Sequence, residues 1–264
     1  MSDERENERV LQTGRAENEK IEINSLWLDY HGTIAYRKAG ALKRAAEKAL
    51  GCKIIKNAEA INADIETIRT ELDLQETSDE VDGPDKWIEI NRRAFGCSVE
   101  EATRMSEYVR DERNYIVSPK RLKFVRWLLS RFPSRNRSGK FVLTASNADF
   151  TTVSRFVESH VLEGVRPVSG NLLGVYKPNI CFSKRLIEAT GVSPENTLSV
   201  ANSWRNDLPA ARLGVNVVII LPPSVSMSPD EIMKRVGEVK GRVVIVRSLM
   251  AARQAIIQNF VQIR

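Results

Sequence analysis

With 264 residues, 42% of them hydrophobic, the chain is long enough for one large domain or a domain carrying a sizeable insertion. No stretch reaches the roughly 20 continuous apolar residues of a membrane span, and two histidines, His31 and His160, exclude a histidine-rich metal site. Three cysteines without metal-type spacing fit buried thiols in a reducing, cytoplasmic setting, and a formal charge of +6 admits an anionic ligand without demanding one.

The opening "MSDERENERVLQTGRAENEKIE" is dense in charges of both signs, so residues 1–21 are expected to form a frayed arm rather than a signal peptide. "EINSLWLD" (22–29) reads as a buried strand ending at Asp29, and "AGALKRAAEKALG" as a helix stopped by Gly51. From about 54 to 118 the pattern is helical, with "ELDLQETSDEVDGPDKW" as a loop in its middle and no run resembling a core strand. That stretch is expected to be a helical insertion, in which Trp87, Ile90 and Phe95 share one face as core.

Alternation then resumes with the amphipathic helix "SPKRLKFVRWLLSRF" and the strand "KFVLTAS". Next comes the helix "ADFTTVSRFVESHVL", which Asp149 is placed to cap. "FSKRLIEATG" is a helix, "TLSVAN" a strand, "DLPAARLG" a helix and "VNVVIIL" a strand. "GRVVIVRSL" and "MAARQAIIQNF" close the series. Short apolar strands separated by helices predict a Rossmann-like, doubly wound parallel sheet over 22–53 and 119–264, interrupted by the insertion at 54–118.

In such a sheet a ligand sits beyond the carboxyl ends of the strands. Those ends carry Asp29 to Thr33, then Thr144 to Asn147, then Asn202 to Asp207, and Lys177 joins them from "GVYKPNI". Each motif alone has an ordinary explanation: Asp29 as a turn cap, Lys177 as a solvated lysine. Their order and common location point to one crevice.

The run "LDYHGT", "LTAS", "YKP" and "VANSWRNDLPAARLG" resembles the haloacid dehalogenase-like (HAD) hydrolase superfamily over residues 22 to about 220, with the insertion in the place of a helical cap. The resemblance implies a hydrolase, most simply a phosphatase of a small phosphorylated metabolite, with Asp29 as nucleophile and an aspartyl-phosphate intermediate. Lys177 would hold Asp29 and offset its repulsion of the substrate, while Thr144 and backbone N–H groups donate to the phosphoryl oxygens. Thr33, Ala145 and Arg37 complete the expected substrate-binding set, Thr33 chiefly by fixing the turn. Magnesium would be held by Asp29, the His31 carbonyl, Asn202 and Asp207.

Two positions depart from the phosphatase pattern. His31 stands where the acid that protonates the leaving oxygen is expected, a task an imidazole can perform at neutral pH. Asn202 stands where a metal-binding Asp is expected, which removes one negative charge and should weaken the magnesium site. Two other readings therefore stay open: a metal-independent dehalogenase-type hydrolase and a HAD-like binding protein without turnover. Ala145, where such dehalogenases tend to carry an amide, counts against the first.

His160 reads as a surface residue, and Trp204 as either a roof over the site or a packing residue. The basic group Lys120, Arg121, Lys123, Arg126, Arg131, Arg135, Arg137 and Lys140 reads as a solvated face, since it lacks the interleaved aromatics of a nucleic-acid surface. The expected partner is a small phosphorylated substrate, with neither nucleic acid nor membrane, and the chain acting as monomer or homodimer.

Overall fold

The computed structural model describes residues 11–13, 20–75, 86–110, 114–132, 141–148, 150–160, 162–223 and 225–262. Its strands are β1 (Leu11–Thr13), β2 (Ile21–Ile23), β3 (Ser25–Leu28), β4 (Ala35–Arg37), β5 (Tyr115–Val117), β6 (Phe141–Ser146), β7 (Val165–Ser169), β8 (Thr197–Ala201), β9 (Asn216–Ile220), β10 (Val243–Val246) and β11 (Phe260–Gln262). The helices are α1 (Ala41–Leu50), α2 (Ala58–Gln75), α3 (Lys86–Phe95), α4 (Val99–Arg110), α5 (Pro119–Arg131), α6 (Phe150–Ser159), α7 (Gly170–Leu173), α8 (Ile180–Thr190), α9 (Trp204–Asp207), α10 (Pro229–Val236) and α11 (Leu249–Asn259).

Seven strands form one sheet in the order β1-β10-β9-β8-β3-β6-β7, parallel throughout except for β1. The strand carrying Asp29 is thus central, flanked by β6 and β8. Strands buried on both faces run largely apolar, and "SLWL", "TLSVA", "NVVII" and "VVIV" are wholly buried, with Ser25, Thr197, Ser199 and Asn216 among them. One face packs on α5, α6 and α11 through Phe124, Leu128, Phe156 and Ile256. The other packs on α8 and α10 through Phe182, Leu186 and Ile232, with Trp27, Leu143 and Ala145 on the sheet side.

The doubly wound reading holds, with differences of detail. The arm expected over 1–21 contributes the antiparallel edge strand β1; residues 1–10 and 14–19 lie outside the described residues. "EINSLWLD" breaks at Asn24, so that β2 pairs with β11 while β3 joins the main sheet. "DLPAARLG" is a 3-10 segment over 208–213 that follows the short helix α9. Strand β7 goes unread in the sequence because Pro167 argues against a strand, yet β7 lies at the sheet edge, where a missing N–H donor is tolerated. Residues 76–85 of the expected loop, the capping Asp149, and Arg135, Arg137 and Lys140 lie outside the described residues.

The insertion has a core of its own. Leu42, Ala45, Ala46 and Ala49 of α1 pack with Ile61, Ile65, Ile90, Met105 and Val109 of α2, α3 and α4. Helix α1, assigned from the sequence to the sheet side, therefore belongs to the insertion's cluster: its alanines face helices rather than strands. Entry and exit are joined by an antiparallel ribbon of β4 and β5, closed by the Lys38 N–H donating to the Asn114 carbonyl at 2.7 Å.

Candidate functional site

Asp29 follows the last residue of β3, and its N–H donates to the Val200 carbonyl of β8 at 3.0 Å, so a rigid strand holds the carboxylate. It is 7% exposed, at the floor of a cavity of about 610 Å³ between the strand ends and the insertion. Such burial of an ionised group requires partners. Lys177 supplies one, its Nζ donating to Asp29 Oδ1 at 2.8 Å and to Asp207 Oδ1 at 2.5 Å. The lysine is held in turn by Asn147, whose side chain donates to the Lys177 carbonyl at 2.7 Å and accepts from its N–H at 2.8 Å.

One cation serves two buried carboxylates. Burial pulls Lys177 down, but Asp207 and Asp29 outweigh it and hold the ammonium above its ordinary value. Asp207 is pushed up to about 6 by its burial, with the like charge of Asp29 acting in the same direction against the pull of Lys177. Its Oδ2 is buried and accepts no hydrogen bond among the described residues.

The turn after Asp29 is set by Gly32, at φ +87°, whose N–H donates to the Ala35 carbonyl at 2.7 Å. A Cβ at Gly32 would run into the Asn202 side chain. Thr33 donates to Asp29 Oδ2 at 3.2 Å, and Arg121 donates to the Thr33 carbonyl while stacking over Tyr36. Arg121 is therefore a turn-fixing residue rather than part of a solvated face, whereas Lys120, Lys123 and Arg126 are exposed as expected.

Three acceptors surround the end of the Asn202 side chain, which calls for its amide nitrogen to face them. That nitrogen lies 3.1 Å from Asp29 Oδ2, 3.0 Å from the His31 carbonyl and 3.2 Å from Thr33 Oγ1. The residues do not fit the magnesium ion that the resemblance implies. Magnesium needs carboxylate-rich oxygen ligands in octahedral array. Here Asp29 has Lys177 on Oδ1 and an amide and a hydroxyl on Oδ2, the His31 carbonyl is taken, and Asp207 faces Lys177. Among the described residues no group of three or more His, Cys, Asp or Glu side chains is gathered to hold a metal.

Of the residues singled out from the sequence, Asp29, His31, Arg37, Lys177 and Asn202 line the one cavity. Thr33 and Asp207 bond to them from behind. Thr144 does not join them. It pairs with Leu28, two residues short of the end of β6, and its hydroxyl accepts from the Val168 N–H at 2.9 Å and donates to the Val168 carbonyl at 3.3 Å. Ala145 is buried in the sheet's second cluster and does not line the cavity. Ser146, the last residue of β6, and Asn147 after it line the cavity instead. Following "KFVLTAS" to its last residue and one beyond selects them; the Asn147 amide is engaged by the Lys177 main chain.

His31 is exposed at the cavity wall, its ring edge-on to Tyr115 with centroids 6.4 Å apart. Arg37 lies with its guanidinium 5.5 Å from the Trp87 ring centre, and its buried Nε–H finds no acceptor among the described residues. Trp87 both borders the insertion's core and lines the cavity, so the core expectation for it is half the story; Ile90 is fully buried as expected. His160 stacks on Phe156 away from the site, and Trp204 packs against the second cluster.

No sequence-family model and no curated protein matches the chain. Solved structures do. An L-2-haloacid dehalogenase superposes with a TM-score of 0.61 at 16% identity, covering 89% of this chain and 99% of that one. A HAD phosphatase from Thermococcus onnurineus gives 0.58 at 14% identity over 90% and 100% of the two chains. The YfnB protein of Bacillus subtilis, bound to magnesium, gives 0.60 at 13% identity over 90% and 100%. At these identities the likeness establishes the fold.

Proposed function

We propose that this chain, whose fold is that of the haloacid dehalogenase-like superfamily, is a hydrolase that carries its substrate through a covalent intermediate on Asp29. The observation that supports the reading is the Lys177 bridge: a buried lysine holds a strand-end carboxylate at the floor of a large cavity. Attack by the Asp29 carboxylate breaks the bond to the leaving group and leaves an acyl phosphate from a phosphate monoester, or an acyl ester from a 2-haloacid; water then cleaves that bond, releases phosphate or the hydroxy acid, and restores the carboxylate. Lys177 offsets the repulsion between Asp29 and an anionic substrate and keeps the carboxylate aimed.

The finer reading is a small phosphoric monoester. Arg37, Lys38 and Lys43 line the cavity beside Lys177 and supply the positive field such an anion requires. His31, exposed on the same wall, stands within the cavity to protonate the leaving oxygen. A second reading, displacement of halide from a 2-haloacid, is favoured by the Asn202 contacts, because a halide leaves without a proton and without a metal.

A panel of phosphate monoesters and 2-haloacids, assayed for released phosphate and halide, separates the two readings. Turnover of one class, lost in Asp29→Asn with an unchanged melting temperature, is the expected outcome. A well-folded chain that binds members of either panel yet releases neither product is a binding protein, and the hydrolase reading fails.

A further inference from the structure

We infer that the amide of Asn202 occupies the cation position of this site, so that the chain operates without a divalent metal and a single carboxylate at position 202 would admit one. The inference rests on the hydrolase reading only for the part given to Asp29; its geometry stands whichever substrate is cleaved.

The amide nitrogen sits among three oxygens from three residues: a carboxylate, a main-chain carbonyl and a hydroxyl, at 3.0–3.2 Å. A hard cation in this corner would need lone pairs of the same oxygens. An amide N–H offers partial positive charge and direction without the dehydration that magnesium resists, and it cannot be exchanged or chelated away. The main chain is shaped around it. Gly32, at φ +87°, leaves open the space that the Asn202 side chain enters, and any Cβ there would meet it.

Charge points the same way. Asp29 and Asp207 contribute two negative charges and Lys177 one positive, so the buried cluster carries one net negative charge. That is less than a divalent ion needs for neutralisation, and Lys177 already sits between the two carboxylates. Replacing Asn202 by Asp adds a negative charge at the three oxygens and removes the competing donor, the two changes a cation site lacks here.

The test is binding rather than turnover, which keeps its failure separate from failure of the hydrolase reading. Paramagnetic Mn2+ is titrated into the purified chain and free ion is followed by electron paramagnetic resonance, with melting temperature recorded in magnesium and in chelator. The unaltered chain is expected to leave Mn2+ free and to melt within about 1 °C in either buffer, while Asn202→Asp retains the ion and melts about 3 °C or more higher with magnesium. Submillimolar Mn2+ retention by the unaltered chain would overturn the inference. So would a folded Asn202→Asp variant that still binds no ion. Should that variant fail to fold, the unaltered chain decides alone: submillimolar Mn2+ retention overturns the inference, and free Mn2+ with a melting temperature indifferent to magnesium and chelator supports it.

Discussion

At the scale of single residues the site turns on how few charges balance many. Asp207 is nearly fully buried and shares Lys177 with Asp29, and its carboxyl is raised from 3.8 to about 6. A carboxyl whose folded pKa exceeds its unfolded one binds more protons when folded, so the stability it contributes is full below about 3.8 and is lost as the pH rises through 6. Melting temperature measured from pH 4 to 8 should therefore show the chain gaining on Asp207→Asn as the pH falls from 7 to 5. A constant difference between the two would mean that Asp207 is ionised throughout. The same residue-level chemistry explains what a sequence could not disclose at position 202. That Asn202 replaces an acid is legible from motif order, but whether its amide donates or accepts depends on the three oxygens around it, two of which come from a turn whose path no spacing rule describes.

At the scale of elements, strand ends were legible and their last residues were not. Period-free apolar runs identified β3, β6, β8, β9 and β10, and with them the placement of Asp29 and Asn202, because strands buried on both faces have no other use for such composition. By type Thr144 and Ser146 are equally plausible as the hydroxyl of β6; only the register, Leu28 against Thr144, puts Thr144 two residues behind the tip and out of the cavity. Helix α1 was misassigned because an alanine-rich face suits a strand or a helix neighbour equally, and nothing local to it says which it meets.

The turn from β3 into β4 offers its own prediction. Gly32→Ala meets two obstacles, a positive φ and the Asn202 side chain, and should cost about 2 kcal/mol or more. In an Asn202→Ala background the second obstacle is gone, so the same change should cost less. Denaturant unfolding of the four chains measures the coupling. Strict additivity would mean that the amide and the glycine do not share the space, and the cation inference would lose one support.

At the scale of the molecule, three hydrophobic clusters divide the described residues unequally: two sandwich the sheet, and the third joins α1 to the insertion helices. The insertion helices bury their apolar faces against one another, so the sheet does not depend on them for its core. They reach the sheet through the β4–β5 ribbon, where Lys38 and Asn114 are already hydrogen-bonded. Excising residues 39–113 and joining the ribbon by an Asn-Gly turn should therefore leave a chain that unfolds cooperatively within a few degrees of the parent, roughly as expected when no core cluster is cut. Activity should suffer more than stability. Trp87, Ile61 and Ile65, which line the cavity from the insertion, would be lost, and water would reach Asp29 during the first chemical step. The expected result is a folded core with weakened discrimination among substrates and a lower rate. Loss of cooperative unfolding on excision would instead show that the sheet borrows stability from the insertion, and the specificity of the cavity could then not be varied without rebuilding the core.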